Sequence, residues 1–164
     1  MRITPKLPEI LHFLNLTIMK REEIKQILPH REPMLLVDEM ELQGDECVAH
    51  YTVRGDEFFL QGHFPGMPIV PGVILCEMMG QGSALLLLDH LDGQTVPMFV
   101  AMENVRFKHP VHPGDTVESH AKIVNRRANI VFIESSAYVN GNLSCSAHLT
   151  VALTKKQKDE IIRK

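Results

Sequence analysis

The 164-residue chain has no CxxC pair, no excess of basic charge and no apolar run long enough to cross a bilayer. Its cysteines, Cys47, Cys76 and Cys145, are odd in number and far apart. That spacing argues against a disulfide framework and fits reduced thiols in a cytoplasmic protein. A net charge of -3 offers nothing global to nucleic acid or an anionic membrane, so any acidic partner must meet a local basic patch. The most apolar stretch, Val73–Leu88, falls short of a membrane span and contains Glu77 and Gln81. Internal repeats, low-complexity tracts and interdomain linkers are also lacking, which leaves one domain with enough chain to bury a core.

The N-terminal stretch Ile10–Met19 is fairly apolar and follows Arg2 and Lys6, a faint echo of a signal peptide. It is short, it contains His12, and no small-residue cleavage site follows. Residues 1–16 are therefore expected to be a loosely attached extension, residues 17–154 the domain, and residues 155–164 a charged, solvated tail.

Within the domain, Ile24, Ile27 and Leu28 mark one face of a short helix stopped by Pro29. Met34–Met40 and Glu46–Arg54 read as strands, and Phe58-Phe59-Leu60 leads into a loop rich in proline and glycine. Val73–Leu88 then reads as one helix that is apolar on every face. Gly80 and Gly82 weaken it by roughly 1 kcal/mol each unless something packs closely against them. Four further strands are expected: Met98–Phe107, Thr116–Val124, Ile130–Val139, and a last one with Cys145, Ala147, Leu149, Val151 and Leu153 on one face. Turns fall at His112–Asp115, Asn125–Arg127 and Asn140-Gly141, the last a strong hairpin signal. One buried helix before a long antiparallel meander implies an α+β protein whose sheet wraps the helix, the hot-dog arrangement.

The chemistry concentrates in Gly62–Gly72 and the helix that follows. Prolines and glycines there hold His63 in a stiff loop, and Glu77 sits one turn into an apolar helix where a carboxyl group has no structural reason to be. Burial disfavours its charged form, so its pKa is expected to rise. Gln81, one turn further along, is placed to orient it. The first N–H groups of the helix, at Gly72 and Val73, have no intrahelical acceptor and point out at the positive end of the dipole. Such donors suit a carbonyl oxygen that gains negative charge. A loop histidine is more often a hydrogen-bonded surface residue, and a buried Glu–Gln pair alone would only close a polar interface. Taken together, though, the groups supply a base, an acid and an electrophilic cradle.

These residues resemble those of FabZ-type (3R)-hydroxyacyl-acyl carrier protein dehydratases of bacterial fatty-acid synthesis. The resemblance rests on Leu28-Pro29-His30-Arg31, Leu35-Leu36-Val37-Asp38 and Gln61-Gly62-His63-Phe64-Pro65-Gly66. It continues through Pro68, Pro71-Gly72-Val73, Glu77, Gln81, Val105-Arg106-Phe107-Lys108 and Pro113-Gly114-Asp115, and spans residues 17–154. Glu rather than Asp at position 77 fits the FabZ type and not its FabA-type relative. Glu32 stands where an aromatic is common, Met34 where Phe is frequent, and Gly80 and Gly82 where alanines are usual.

The resemblance implies a homodimer, commonly a trimer of dimers, with His63 of one chain facing Glu77 of the other. It implies loss of water from a 3-hydroxyacyl thioester: His63 removes the C2 proton, Gly72 and Val73 hold the carbonyl, and Glu77 protonates or orients the departing hydroxyl. No metal or other cofactor is implied. The partner implied is acyl carrier protein with its phosphopantetheine-linked chain, for which Arg106, Lys108, Arg126 and Arg127 form a candidate patch, solvated strand and turn charges being the equal alternative. Rivals are a dehydratase that also isomerises its product to the cis-3 enoyl chain, a hot-dog thioesterase, and a non-catalytic acyl-binding module. The His109-x-x-His112 spacing has no companion ligand, and Cys76 reads as a small core residue rather than a nucleophile. Met78 and Met98 are candidates to line an acyl tunnel.

Overall fold

The computed structural model describes residues 18–91 and 94–155, so the expected extension and the tail past Lys155 lie outside the described residues. The chain opens with β1 (Met19–Lys20), the short helix α1 (Arg21–Ile24), β2 (Glu39–Gln43) and β3 (Glu46–Thr52). A 3₁₀ turn (Phe58–Leu60) precedes the central helix α2 (Gly72–Gln81), and a longer 3₁₀ segment (Ala84–His90) follows it. The rest is β4 (Thr95–Phe107), β5 (Thr116–Arg127), β6 (Ile130–Val139) and β7 (Asn142–Lys155). All seven strands join one antiparallel sheet in the order β1-β2-β3-β5-β6-β7-β4.

Side chains alternate across a strand, so one face of β5, β6 and β7 can be wholly apolar. Val117 and Ala121, Val131, Ile133 and Ala137, and Cys145, Ala147 and Leu149 do this, and they bury Leu75, Cys76, Met78 and Met79 of α2. A second cluster joins Ile24, Leu28, Leu35, Val37 and Met40 to Leu85 of the 3₁₀ segment. This is the α+β hot-dog arrangement expected from the sequence. The Asn140-Gly141 hairpin is also where the pattern puts it, with φ of 50° and 78° at its two centres.

The central helix departs from expectation in two ways. It bends by 46° between Gln81 and Ala84 instead of running straight to Leu88. The bend falls at Gly82-Ser83, where the Ser83 hydroxyl donates to Gly80 O at 2.7 Å and turns the chain into a tighter coil. Nor is the helix buried all round, for Val73 is 71% exposed and Glu77 and Gly80 are half-buried. At spacings of four and three, these residues form a stripe on one face. No single described helix is long and apolar enough to cross a membrane.

Leu35–Val37 is apolar because Leu36 packs in the cluster of α2 and Leu35 and Val37 in that of the 3₁₀ segment, not because it pairs in the sheet, since β2 begins only at Glu39. Side chains satisfy its backbone: Gln81 bonds Met34 O and Leu36 N–H, while Arg21 donates to Leu35 O and Val37 O. The β5–β6 turn falls after Asn125–Arg127, because β5 continues through Arg127 past a register shift between Ile123 and Asn125. Ala128, at φ 53°, takes the reversal.

Both helix glycines have physical reasons. A Cβ at Gly82 would lie 2.5 Å from Ser119 Oγ and 3.0 Å from Ala49 Cβ, so the helix approaches β3 and β5 too closely for a side chain. A Cβ at Gly80 would meet the tip of the Phe99 ring, which is partly exposed and free to swing. Gly82→Ala should therefore destabilise the fold by about 1–3 kcal/mol through overpacking. Gly80→Ala should cost less, and urea midpoints measured side by side give the order.

Candidate active site

His63 is delivered by a loop that closes on itself. Gly62 and Gly66 take φ of 91° and 76°, a region open to glycine. Phe64 and Met67 exchange backbone hydrogen bonds at 3.0 and 2.9 Å, and Ile69 N–H donates to His63 O at 3.0 Å. The His63 ring is fixed in turn by its Nδ1, 3.0 Å from Ile69 O. A carbonyl only accepts, so Nδ1 carries the proton and Nε2 keeps a free lone pair. Phe64 stacks on the same ring with centroids 4.2 Å apart.

His63 lines a groove of about 560 Å³ together with Gly72, Val73, Phe107, Lys108 and His109. The start of α2 thus opens into the histidine's groove. Pro71 O accepts from Ile74 and Leu75, while the N–H groups of Gly72 and Val73 precede the first helical bonds. The close approach that Gly72 permits is made by the Phe107 ring, whose Cε1 would lie 2.6 Å from an added Cβ. Phe107 was legible only as part of a motif, with nothing in its spacing to place it over the helix start.

Glu77 lines a different cavity, of about 310 Å³, with His30, Gln81, Met98, Phe99 and Leu87. Within one chain, then, His63 and Glu77 do not meet. Gln81 is 3% exposed and donates through Nε2 to Glu77 Oε1 at 2.8 Å and to Met34 O at 2.7 Å. His30 Nε2 lies 3.2 Å from the same Oε1. The bond from His30 holds the Glu77 carboxyl below the usual carboxylate range, with Gln81 adding to it and burial opposing. This corrects the expected rise, because the carboxyl is not unpaired: two donors outweigh desolvation. The residue that reverses the sign, His30, was visible in sequence only as part of Leu28–Arg31.

The remaining candidates disperse. Lys108 lines the His63 groove and Arg106 stands two residues before it on β4. Arg126 is held at the other end of the helical unit, donating to Leu86 O at 2.9 Å and lying 2.7 Å from His90 Nε2. Arg127 sits over the Phe132 ring at 6.0 Å. The four cations do not gather into one patch. His109 Nδ1 lies 2.9 Å from Leu143 O, and His112 turns to Asp115. Cys76 is 2% exposed in the core beside Cys145. Met98 lines the Glu77 cavity, whereas Met78 is buried in the core.

The sequence model of the FabA-like domain matches residues 28–148, which include His30, His63, Glu77 and Gln81. The chain is 41% identical over 139 residues to the 3-hydroxyacyl-[acyl-carrier-protein] dehydratase FabZ of Clostridium perfringens, covering 83% of this chain and 99% of that protein. The FabZ of Lactococcus lactis is 42% identical over 135 residues, covering 81% and 94%. Among solved structures, the dehydratase heterocomplex ApeI:P of Xenorhabdus doucetiae has the same fold, with a TM-score of 0.69, 19% identity and coverage of 81% and 91%. The chain belongs to the FabA-like family and, within it, to the FabZ-type dehydratases.

Two measurements follow from the Gln81 and Glu77 bonds. Gln81→Leu leaves Leu36 N–H and Met34 O buried without partners and should cost about 2–4 kcal/mol in chemical denaturation. Because the folded Glu77 pKa is depressed, its carboxylate stabilises the fold above the usual carboxylate range and loses that contribution as pH falls through the lowered folded pKa. The stability gap between wild type and Glu77→Gln should accordingly be widest near pH 7 and shrink toward pH 3.

Proposed function

We propose that this chain dehydrates (3R)-3-hydroxyacyl chains borne on acyl carrier protein to trans-2-enoyl chains, at a site built by two copies. The observation that carries the reading is the separation of His63 and Glu77 into different cavities, each incomplete alone. Family membership supports the reaction class. A surface suited to a second copy is present: β4 is a sheet edge on which Met98, Val100 and Met102 are exposed, and Val73 is exposed on α2. A long apolar edge left bare would invite uncontrolled pairing, so its regular occupant is argued to be the same edge of another chain.

In this reading the thioester carbonyl sits at the N–H groups of Gly72 and Val73, which lowers the cost of charge on its oxygen as the C2 proton leaves. His63 Nε2 takes that proton. The partner's Glu77, an acceptor because it is ionised, orients the C3 hydroxyl over the breaking C–O bond. The hydroxyl departs with the proton carried by His63, giving water and the C2–C3 double bond. Lys108 beside the groove is suited to the phosphate of the pantetheine arm. The chemistry calls for no resident metal, and the expected setting is the cytoplasm.

The test offers purified protein a 3-hydroxyacyl-carrier protein and follows the 2-enoyl product. His63→Ala and Glu77→Gln should each lose about 10²–10⁴-fold in kcat while staying folded. Mixed together after dissociation, the two inactive variants should recover about a quarter of wild-type activity, because half the dimers then hold one intact site of two. Release of free thiol by the wild type would transfer the chain to the thioesterases. A mixture that stays inactive would place both residues in one subunit's site.

A further inference from the structure

The second donor on Glu77 is unexplained by the reaction itself. His30 comes from the loop after α1, not from the central helix, and two features hold it in place. Arg31 donates to Leu28 O at 2.9 Å, His30 O at 2.7 Å and Lys25 O at 3.0 Å, closing the loop on its own backbone. Glu32 then bridges Arg21 at 3.2 Å and Lys25 at 3.0 Å. The His30 ring reaches the Glu77 cavity with Nε2 toward the carboxylate, while its Nδ1 is buried with no hydrogen-bond partner.

The carboxylate accepts, so the hydrogen between the two side chains sits on His30 Nε2, and Nδ1 is left without a partner. Both bonds to the carboxylate fall on Oε1, from His30 and from Gln81. Around the pair, α2 supplies Gln81, the 3₁₀ segment Ala84 and Leu87, β4 Met98 and Phe99, and β7 Val151, none of them ionisable. In the proposed dimer the partner's His63 also faces the carboxylate.

We propose that His30 is the positioning residue for Glu77: its Nε2–H grips Oε1, so the carboxylate stays ionised and presents Oε2 to the substrate's C3 hydroxyl. The inference rests on the reading of Glu77 as the group that meets that hydroxyl. Gln81 alone would orient the carboxylate, since it reaches the same oxygen. What His30 adds is a second donor from a different element, which favours the acceptor form in a largely apolar cavity.

The experiment compares wild type with His30→Phe, which keeps the ring and removes the donor, and His30→Gln, which restores an N–H. Protein labelled with ¹³C at the glutamate carboxyl is titrated by NMR, with the Glu77 signal assigned by its loss in Glu77→Gln. In wild type it should titrate below the usual carboxylate range. In His30→Phe it should move up by about one pH unit or more, and in His30→Gln it should return most of the way. In steady-state assays kcat should fall about 10–100-fold in His30→Phe with KM little changed, and recover in His30→Gln. An unmoved Glu77 titration in His30→Phe, or a wild-type kcat, overturns the proposal. If the Phe variant does not fold, His30→Asn, too short to reach Oε1, must show the same shift. The NMR readout needs no turnover, so a wild type without dehydratase activity would defeat the functional reading while the positioning of Glu77 is judged separately.

Discussion

The side chain of Gln81 is the joint on which the site depends. A fully buried amide has two donors and an acceptor to satisfy in a place without water, and each unpaired group would be expensive. Here the acceptor takes Leu36 N–H and the donors go to Met34 O and Glu77. One residue thereby ties the extended segment before β2 to the central helix and aims the carboxylate. The segment has no strand partner over Met34–Val37, so most of its backbone hydrogen bonds come from Gln81 and Arg21. Structure and chemistry share the same three bonds.

The central helix works as a spacer. Its first turn opens beside His63, and Glu77, one turn on, faces a separate apolar cavity. The stripe of Val73, Glu77 and Gly80 is less buried than the rest of the helix, with Phe99 of β4 reaching over Gly80. A helix buried all round in a lone subunit could not present a carboxylate to anything. The exposed stripe is therefore what the sequence's all-apolar pattern becomes when part of the burial is left to another surface. The same logic accounts for β4, where residues that look like core on a strand stand bare at the sheet edge.

Much of this is legible in the sequence. Period-two alternation in Cys145–Leu153 gave the inner face of β7, and Asn140-Gly141 gave its hairpin, because both signals are local. The failures were nonlocal. Met34–Val37 has the composition of a strand, but what decides its state is a glutamine 45 residues away in sequence. The bend after Gln81 falls where Gly82 packs against Ala49 and Ser119, contacts that no helical pattern encodes. The direction of the Glu77 shift was misjudged for a like reason, since burial is visible in an apolar run whereas a donor arriving from another element is not. The four basic residues looked like one patch only because charge carries no address until the sheet is folded.

Glu32 illustrates how such an address is set. Its carboxyl is pulled down to about 2 by hydrogen bonding with its own backbone, with Lys25 and with Arg21. An exposed ion pair contributes little stability on its own, so the value of this one is geometric. Arg21 also holds Asp38 at 3.0 Å and the carbonyls of Leu35 and Val37, so a single guanidinium spans the loop and the segment that Gln81 grips. An aromatic at position 32 would pack by its face. A carboxylate instead locks the loop by charge to α1 and leaves Arg31 to satisfy the local carbonyls. The loop so fixed turns Leu28 into the core and carries His30 to Glu77.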